Sequence, residues 1–237
     1  MKIGIIVAMS KEMEQLRKLL TDTREETHGK NTFVVGKMGD NTVVLLQCGI
    51  GKVNAAIGAV ELINGYGPDA VVSTGCAGGT RVAMQAGDVV VATETVYHDV
   101  SCFDDNKYGQ IQGLPERFAA DPTLVAKARL VDEHLKAKSH DDAAIKLHFG
   151  LIASGDWFVC TKGKAGSIVD LFPEALAIDM ESCAIAHTCH VYGVPFISFR
   201  VVSDVPLNDT HASQYYDFWD RMANGSFTIT RDFLETI

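Results

Sequence analysis

The chain is short of positive charge: 21 Lys and Arg residues stand against 30 Asp and Glu, a formal net charge of -9. Nowhere do Lys and Arg gather into a stripe, so the counterion-releasing surface that a nucleic acid requires is missing, and a nucleic-acid reader is excluded. The acidic surplus is spread along the chain and serves solubility. Long hydrophobic runs are lacking as well. No stretch approaches the ~20 apolar residues needed to span a bilayer. The apolar start of MKIGIIVAMSKEME is too short for a secretory leader and runs at once into a charged helical pattern. No membrane partner and a cytoplasmic location are expected. Cysteines are present at 48, 76, 102, 160, 183 and 189, but without a CxxC pair or a His/Cys cluster at metal spacing. Cys48, Cys183 and Cys189 sit in apolar patterns and read as buried reduced thiols, which fits a reducing compartment. Neither a metal nor a cofactor is implied.

No Pro/Ser linker, low-complexity tract or repeat divides the 237 residues. That length fits one large α/β domain or two small ones. A single domain of this size buries roughly three-quarters of its unfolded surface, enough to fold without disulfides. KIGIIVAM, Lys2 to Met9, reads as a buried strand, and Ser10 is positioned to cap a helix from Lys11 to about Leu20. Thr32–Met38 and Thr42–Cys48 form strands around the Gly39-Asp40-Asn41 turn. A helix from Lys52 to Leu62 places Val53, Ala56, Ile57, Val60 and Glu61 around one stripe, with Gly65 at its end.

Ala70–Thr74 reads as a strand that stops at Gly75-Cys76-Ala77-Gly78-Gly79, and another runs from Val89 to about His98. The polar segment from Asp99 to about Asp121 exceeds the usual ~12–15 residues of a structureless connection, which marks a functional or interface loop. Asp121-Pro122 opens a helix with an N-cap residue and Pro at the first position. Strands follow at Leu147–Ser154, Ala177–Ile178 and Phe196–Val202, a helix spans Glu181–Tyr192, and a last helix follows about Tyr216. Alternation of buried strands with helices predicts one α/β domain over residues 1–237, with a central mixed, largely parallel twisted sheet flanked by helices.

Polar residues cluster just past the strand ends, where open α/β sheets bind ligands. Met9 and Glu12 follow the first strand, and Gly49-Ile50-Gly51 follows the hairpin. Later ends supply the glycine turn at 75–79, Ser154-Gly155-Asp156, Asp179-Met180-Glu181 and Arg200-Val201-Val202-Ser203-Asp204. The glycine turn lacks the Lys and Ser/Thr of a P-loop and does not match GxGxxG, so it reads as a tight turn beside a pocket. Cys76 has no identifiable His partner and is not read as a nucleophile. Arg200 lies within the apolar run PFISFRVVSD and must be paired if buried, with Glu181 or Asp179 as the candidates. Trp157-Phe158 reads as core on composition alone, and His98 as a structural histidine.

These segments resemble the 5'-methylthioadenosine/S-adenosylhomocysteine nucleosidases of the purine-nucleoside phosphorylase superfamily. The likeness rests on MKIGIIVAMSKEME, CGIGKVNAA, STGCAGGT, GDVVVATETVYHD, SGDWFV, AIDMESCAIAH and VPFISFRVVSD, in order across almost the whole chain. The resemblance implies a nucleoside phosphorylase-like fold and an adenine-releasing N-glycosidase. It gives Glu12 the role of activating water and Asp204 that of protonating adenine N7. Glu181 would hold the ribose hydroxyls, with Met180 packed on the sugar. Phe158 would stack on the base, and the Val159 backbone would read its edge. Met9, Ile50 and Gly78 match pocket-lining positions, while Arg200 and Ser203 match residues that order the polar side of the site.

The chain departs from the family pattern at Asp179, where Glu is common, and at Cys76, where Ser is common. Tyr215 or Tyr216 stands in for a late Phe that caps the 5' group. Phe103, in the long loop, falls near where a neighbouring subunit completes the pocket, and a homodimer is implied. Alternatives are a phosphorylase, whose phosphate would meet Ser10, Lys11 and Glu12; a futalosine-type or other adenosine-nucleoside hydrolase; and a nucleoside-binding protein without turnover.

Overall fold

The computed structural model describes residues 1–103, 105–138, 145–209, 214–215, 217–218 and 227–237. Among the described residues ten strands join one sheet: β1 (Lys2–Val7), β2 (Thr21–His28), β3 (Asn31–Met38), β4 (Asn41–Gln47), β5 (Ala70–Gly79), β6 (Val89–Tyr97), β7 (Phe118–Ala119), β8 (Leu147–Ser154), β9 (Ala175–Asp179) and β10 (Phe196–Asp204). The described helices are α1 (Ser10–Arg17), α2 (Lys52–Tyr66), α3 (Pro122–Lys138), α4 (Lys162–Leu171), α5 (Ser182–Tyr192) and α6 (Thr228–Leu234). None of them is long and apolar enough to cross a membrane.

Strand residues sort by parity onto two helical layers, because successive side chains point to opposite faces. Ile3, Ile5 and Val7 of β1 join Val43 and Leu45 of β4 against Leu16, Leu124, Ala128 and Phe233 from α1, α3 and α6. Ile6, Val44 and Leu46 face the other way, onto Ala55, Ala59 and Leu62 of α2 and Ile185 of α5. This two-sided burial explains why these strands read as continuous apolar runs.

The sheet is mixed rather than largely parallel. β1–β4, β1–β5, β5–β10, β6–β8 and β8–β9 pair in parallel. β2–β3, β3–β4, β5–β9, β6–β7 and β6–β10 pair antiparallel. Because β9 pairs back onto β5, the strands β5, β10, β6, β8 and β9 close on one another, and β1, β4, β3 and β2 extend from β5. The expected largely parallel sheet is corrected on this point. A strand buried on both faces has the same composition whichever way its neighbour runs, so periodicity cannot report direction.

Closure also explains why β5 does not stop at Thr74 but continues to Gly79. The glycines are places of close approach rather than a turn. A Cβ on Gly75 would meet Arg200 Nη1 at 2.5 Å, and one on Gly79 would meet Val202 Cγ1 at 3.0 Å. β5 and β9 pair only through Gly78↔Ile178 and Gly79↔Ala177, so their carboxyl ends overlap despite opposite directions.

Two elements escape the sequence patterns. β2 (TDTREETH) is exposed along nearly its whole length, so neither face carries an apolar stripe; it is a charged edge strand of the kind that resists further pairing. α4 carries two glycines that weaken its helical signal, although Thr161 caps it by accepting from Lys164 N at 3.3 Å. The end of β1 is also differently built. Ser10 lies inside α1, Met9 occupies the N-cap position, and Glu12 supplies the capping acceptor.

At α3 the expected cap forms: Asp121 Oδ1 accepts from Thr123 N at 2.9 Å and Leu124 N at 3.0 Å. Asp121→Ala should lower stability by about 1 kcal/mol, read as a fall in the thermal midpoint.

Candidate active site

The ends of β1, β5, β9 and β10 and the segment after β8 surround a cavity of about 290 Å³. Its polar wall begins with Glu12, buried in the first turn of α1. Glu12 Oε2 accepts from Ala8 N at 3.0 Å and Met9 N at 2.9 Å, and Oε1 accepts from Cys76 N at 3.0 Å. Burial raises the Glu12 pKa, opposed by the charge of Arg200 and by these three amides. A carboxylate held this way is a stronger proton acceptor than one in water.

Glu181 ends the β9–α5 connection at the N-cap position of α5, and its Oε1 accepts from Gly51 N at 2.9 Å. Burial pushes its pKa up to about 7; Arg200 pulls it down, while Asp179 and Glu12 push it further up. Arg200 stands behind the cavity, fully buried as its apolar strand predicts. It pairs with both candidates, at 2.6 Å from Asp179 Oδ2 and 3.8 Å from Glu181 Oε2. Burial alone would lower its pKa, but Asp179, Glu181 and Glu12 together hold it above the usual value. On the far wall, the Ser203 hydroxyl lies 2.7 Å from Asp204 Oδ1.

Of the residues singled out from the sequence, Met9, Glu12, Ile50, Cys76, Gly78, Phe158, Val159, Asp179, Met180, Glu181, Ser203, Asp204 and Tyr215 line this one cavity. Arg200 backs it without lining it. Phe103 lies elsewhere, 74% exposed in the long loop. Tyr216 lies outside the described residues. Ala8, Ala77, Cys160 and Ile178 line the cavity as well without standing out in the sequence, and Trp157, which reads as core, lines it too. Trp157 and Phe158 are exposed rather than core, Phe158 at 64%, with its ring 5.8 Å from that of Tyr215 in an edge-on contact. Two adjacent aromatics past a buried strand were the available signal. Burial lifts the Cys76 thiol well above its ordinary pKa, which speaks against a nucleophile there.

The segment carrying Trp157 and Phe158 is fastened to the start of α2. Asp156 Oδ1 accepts from Lys52 N at 2.7 Å, and Lys52 Nζ donates to Asp99 Oδ1 at 2.8 Å. Asp99 Oδ2 in turn accepts from Asp156 N at 2.8 Å. The aromatic wall is therefore held by a half-buried ion pair and not by packing alone.

A raised carboxyl pKa in the folded state means that ionisation is opposed by folding. The contribution of Glu181 is fully present at acid pH and is lost as pH rises through about 7. Glu181→Gln should accordingly match the wild type in thermal midpoint below about pH 4.5, gain on it progressively from there to about pH 7, and hold a constant advantage at higher pH. A constant offset between those two pH values would contradict the assignment.

The family model of the phosphorylase superfamily matches residues 2–235. A 5'-methylthioadenosine/S-adenosylhomocysteine nucleosidase of Chromohalobacter salexigens is 42% identical over 213 residues, covering 90% of this chain and 88% of that protein. Its counterpart in Actinobacillus succinogenes is 42% identical over 206 residues, 86% of each chain. The crystal structure of the Neisseria meningitidis nucleosidase in complex with methylthio-immucillin-A superimposes with a TM-score of 0.90 at 32% identity, covering 100% of this chain and 99% of that one. That of Colwellia psychrerythraea in complex with adenine gives 0.91 at 34%, covering 100% and 95%. Sequence, fold and the makeup of the cavity agree, and the chain belongs to the 5'-methylthioadenosine/S-adenosylhomocysteine nucleosidase family of the phosphorylase superfamily.

Proposed function

We propose that this chain, as one domain over residues 1–237, hydrolyses the N-glycosidic bond of 5'-methylthioadenosine and S-adenosylhomocysteine, releasing adenine and the 5-thioribose product. The observation that carries the reading is a pair of carboxylates, Glu12 and Asp204, on the wall of one cavity in different settings. Glu12 is buried under three backbone amides, while Asp204 is held by the Ser203 hydroxyl. Relatives whose structures hold methylthio-immucillin-A and adenine support the nucleoside class.

In this reading Asp204 delivers a proton to adenine N7, so that the base does not depart as an anion. Glu181 holds the ribose hydroxyls and stabilises the positive charge that grows on the sugar. Glu12 takes the proton of a water that attacks from the opposite face, the division of labour of inverting glycosidases. Its raised pKa suits it to that task. Phe158 and Trp157 cover the base, Val159 meets its edge, Met180 packs on the sugar, and Met9, Ile50, Gly78 and Tyr215 complete the walls. Ser203 orients Asp204, and Arg200 orders the carboxylates of the water side.

A phosphorylase is the runner-up. A buried carboxylate at position 12 repels phosphate and activates water, so adenine release should be independent of added phosphate. The 5' side is the least matched wall, and comparing kcat/KM for methylthioadenosine, S-adenosylhomocysteine and 6-amino-6-deoxyfutalosine separates the hydrolase alternatives.

We also infer a homodimer. The stripe of Val53, Ala56, Ile57 and Val60 does not enter the core. α2 buries Ala55, Gly58, Ala59, Leu62 and Ile63 instead, leaving Val53 68% and Ile57 50% exposed. Val53, Val60, Val100, Ile111, Val191 and Tyr192 line a groove that a second copy would fill. Phe103, at φ 29°, projects from the long loop as a residue offered to a neighbour's cavity. All six cysteines are free thiols, which supports a cytoplasmic setting.

Glu12→Gln should lower kcat by about 10²-fold or more. The pH profile of kcat/KM should have two limbs, with the acid limb of Glu12 displaced upward from the ordinary carboxylate range, in the direction that burial imposes. Asp204→Asn should remove the basic limb; retention of both limbs would sink the assignment. Val53→Asp should convert the dimer to monomer in sedimentation and weaken methylthioadenosine turnover, whereas an unchanged sedimentation coefficient would remove α2 from the interface.

A further inference from the structure

Arg200 is surrounded on its buried side by hydroxyls to which the roles above give no task. Its Nε donates to Ser182 Oγ at 2.9 Å, and Nη2 donates to Ser73 Oγ at 3.0 Å. The Ser182 hydroxyl also bonds Asp179 Oδ2 and lies 2.8 Å from Ser198 Oγ. Ser154 donates to Asp179 Oδ1 and accepts from Cys183 N at 2.9 Å. Ser73, Ser154, Ser182 and Ser198 are completely buried.

A hydroxyl has one proton and two lone pairs. Ser182 is satisfied in one arrangement only: it donates to Asp179 and accepts from Arg200 Nε and from the Ser198 hydroxyl. Its backbone N–H donates to Asp179 Oδ2 at 3.1 Å as well. Both flanks of the guanidinium's Nε edge are thereby locked. Nη2, which donates to Ser73, also stands 3.8 Å from Glu181 Oε2. A Cβ on Gly75 would lie 2.5 Å from Nη1 and 2.7 Å from Glu12 Oε1, so Arg200 and Glu12 press on the same glycine. Rotating the guanidinium in its plane would change its distance to both carboxylates at once.

We propose that Ser182 is a positioning residue for hydrolysis: its hydroxyl, bridging Asp179, Ser198 and Arg200, fixes the rotation of the Arg200 guanidinium that sets Glu12 and Glu181. This rests on the nucleosidase reading and deepens it. Ser182 is fully buried and does not line the cavity. It acts through Arg200, and its removal changes no formal charge. Without it Arg200 Nε keeps only Asp179, 2.6 Å away, on that edge; the guanidinium can then turn about that contact, its influence on the ionised forms of Glu12 and Glu181 weakens, and both titrate at higher pH.

Ser182→Ala should therefore lower kcat on methylthioadenosine about tenfold to a hundredfold, with KM little changed and the acid limb of kcat/KM moved to higher pH. Asp179→Glu pushes a longer carboxylate into the Ser182 hydroxyl and should be impaired alone. The double variant Asp179→Glu/Ser182→Ala opens room for the extra methylene and should recover activity beyond either single change. Wild-type kcat and limb position in Ser182→Ala, or strictly additive losses in the double variant, would overturn the proposal. Carbon-13 titration of the Glu12 and Glu181 carboxyls gives a second readout that needs no turnover. An upward shift in Ser182→Ala supports the positioning role, and superimposable curves reject it. A wild-type protein that releases no adenine defeats the nucleosidase reading alone, because the titration still decides the role of Ser182.

Discussion

Arg200 is a permanent cation placed inside an apolar strand, and the site is organised around the need to compensate it. An isolated buried guanidinium would carry a prohibitive desolvation cost. Here Asp179 binds it directly, Glu181 lies at longer range, and the field of Glu12 reaches it as well. Three carboxylates around one cation leave an excess of negative charge in a dry region. Burial in that region is the main reason that Glu12 and Glu181 resist ionisation although each accepts from backbone N–H, and for Glu181 the charges of Asp179 and Glu12 add to it. The same arrangement yields chemistry: a carboxylate reluctant to ionise is one that accepts a proton readily once ionised.

The fold makes this concentration of charge tolerable by closing the sheet. β5 and β10 run side by side from Phe196↔Val71 to Val202↔Ala77, bringing Arg200 opposite Gly75. Only glycine leaves room there for the guanidinium and the Glu12 carboxylate together. β9 then crosses the end of β5 and sets Asp179 and Glu181 on the remaining side. Apolar residues such as Ala77, Val90, Ile152 and Val202, drawn from strands of the closed set, exclude water from beneath the site.

Much of the site was legible because its chemistry is concentrated in short segments past strand ends. KIGIIVAM is followed by a carboxylate within one helical turn, and PFISFRVVSD carries an Arg where only a paired Arg is tolerable. The pairing of Arg200 with Asp179 and Glu181 follows from that reasoning. Less legible was the aromatic wall, since Trp157 and Phe158 are core-like by composition and become pocket residues only through the bracing of Asp156 to Lys52. The edge strand β2 was invisible because a strand exposed on both faces has no hydrophobic period. The glycine run at 75–79 was read as a turn because Gly signals backbone freedom and close approach alike, and only the neighbours distinguish the two.

Sequence alone determined the succession of buried strands and helices, the family, and the acidic residues at the strand ends, because each depends on local periodicity or on short motifs. Tertiary structure decided the direction of the strands, the closure of five of them, which stripe of α2 stays outside, and the serine lock on Arg200. Each of these depends on which distant segments press together. Ser73, Ser182 and Ser198 are unremarkable in the chain; they become a cradle only when β5, α5 and β10 bring three hydroxyls to one guanidinium.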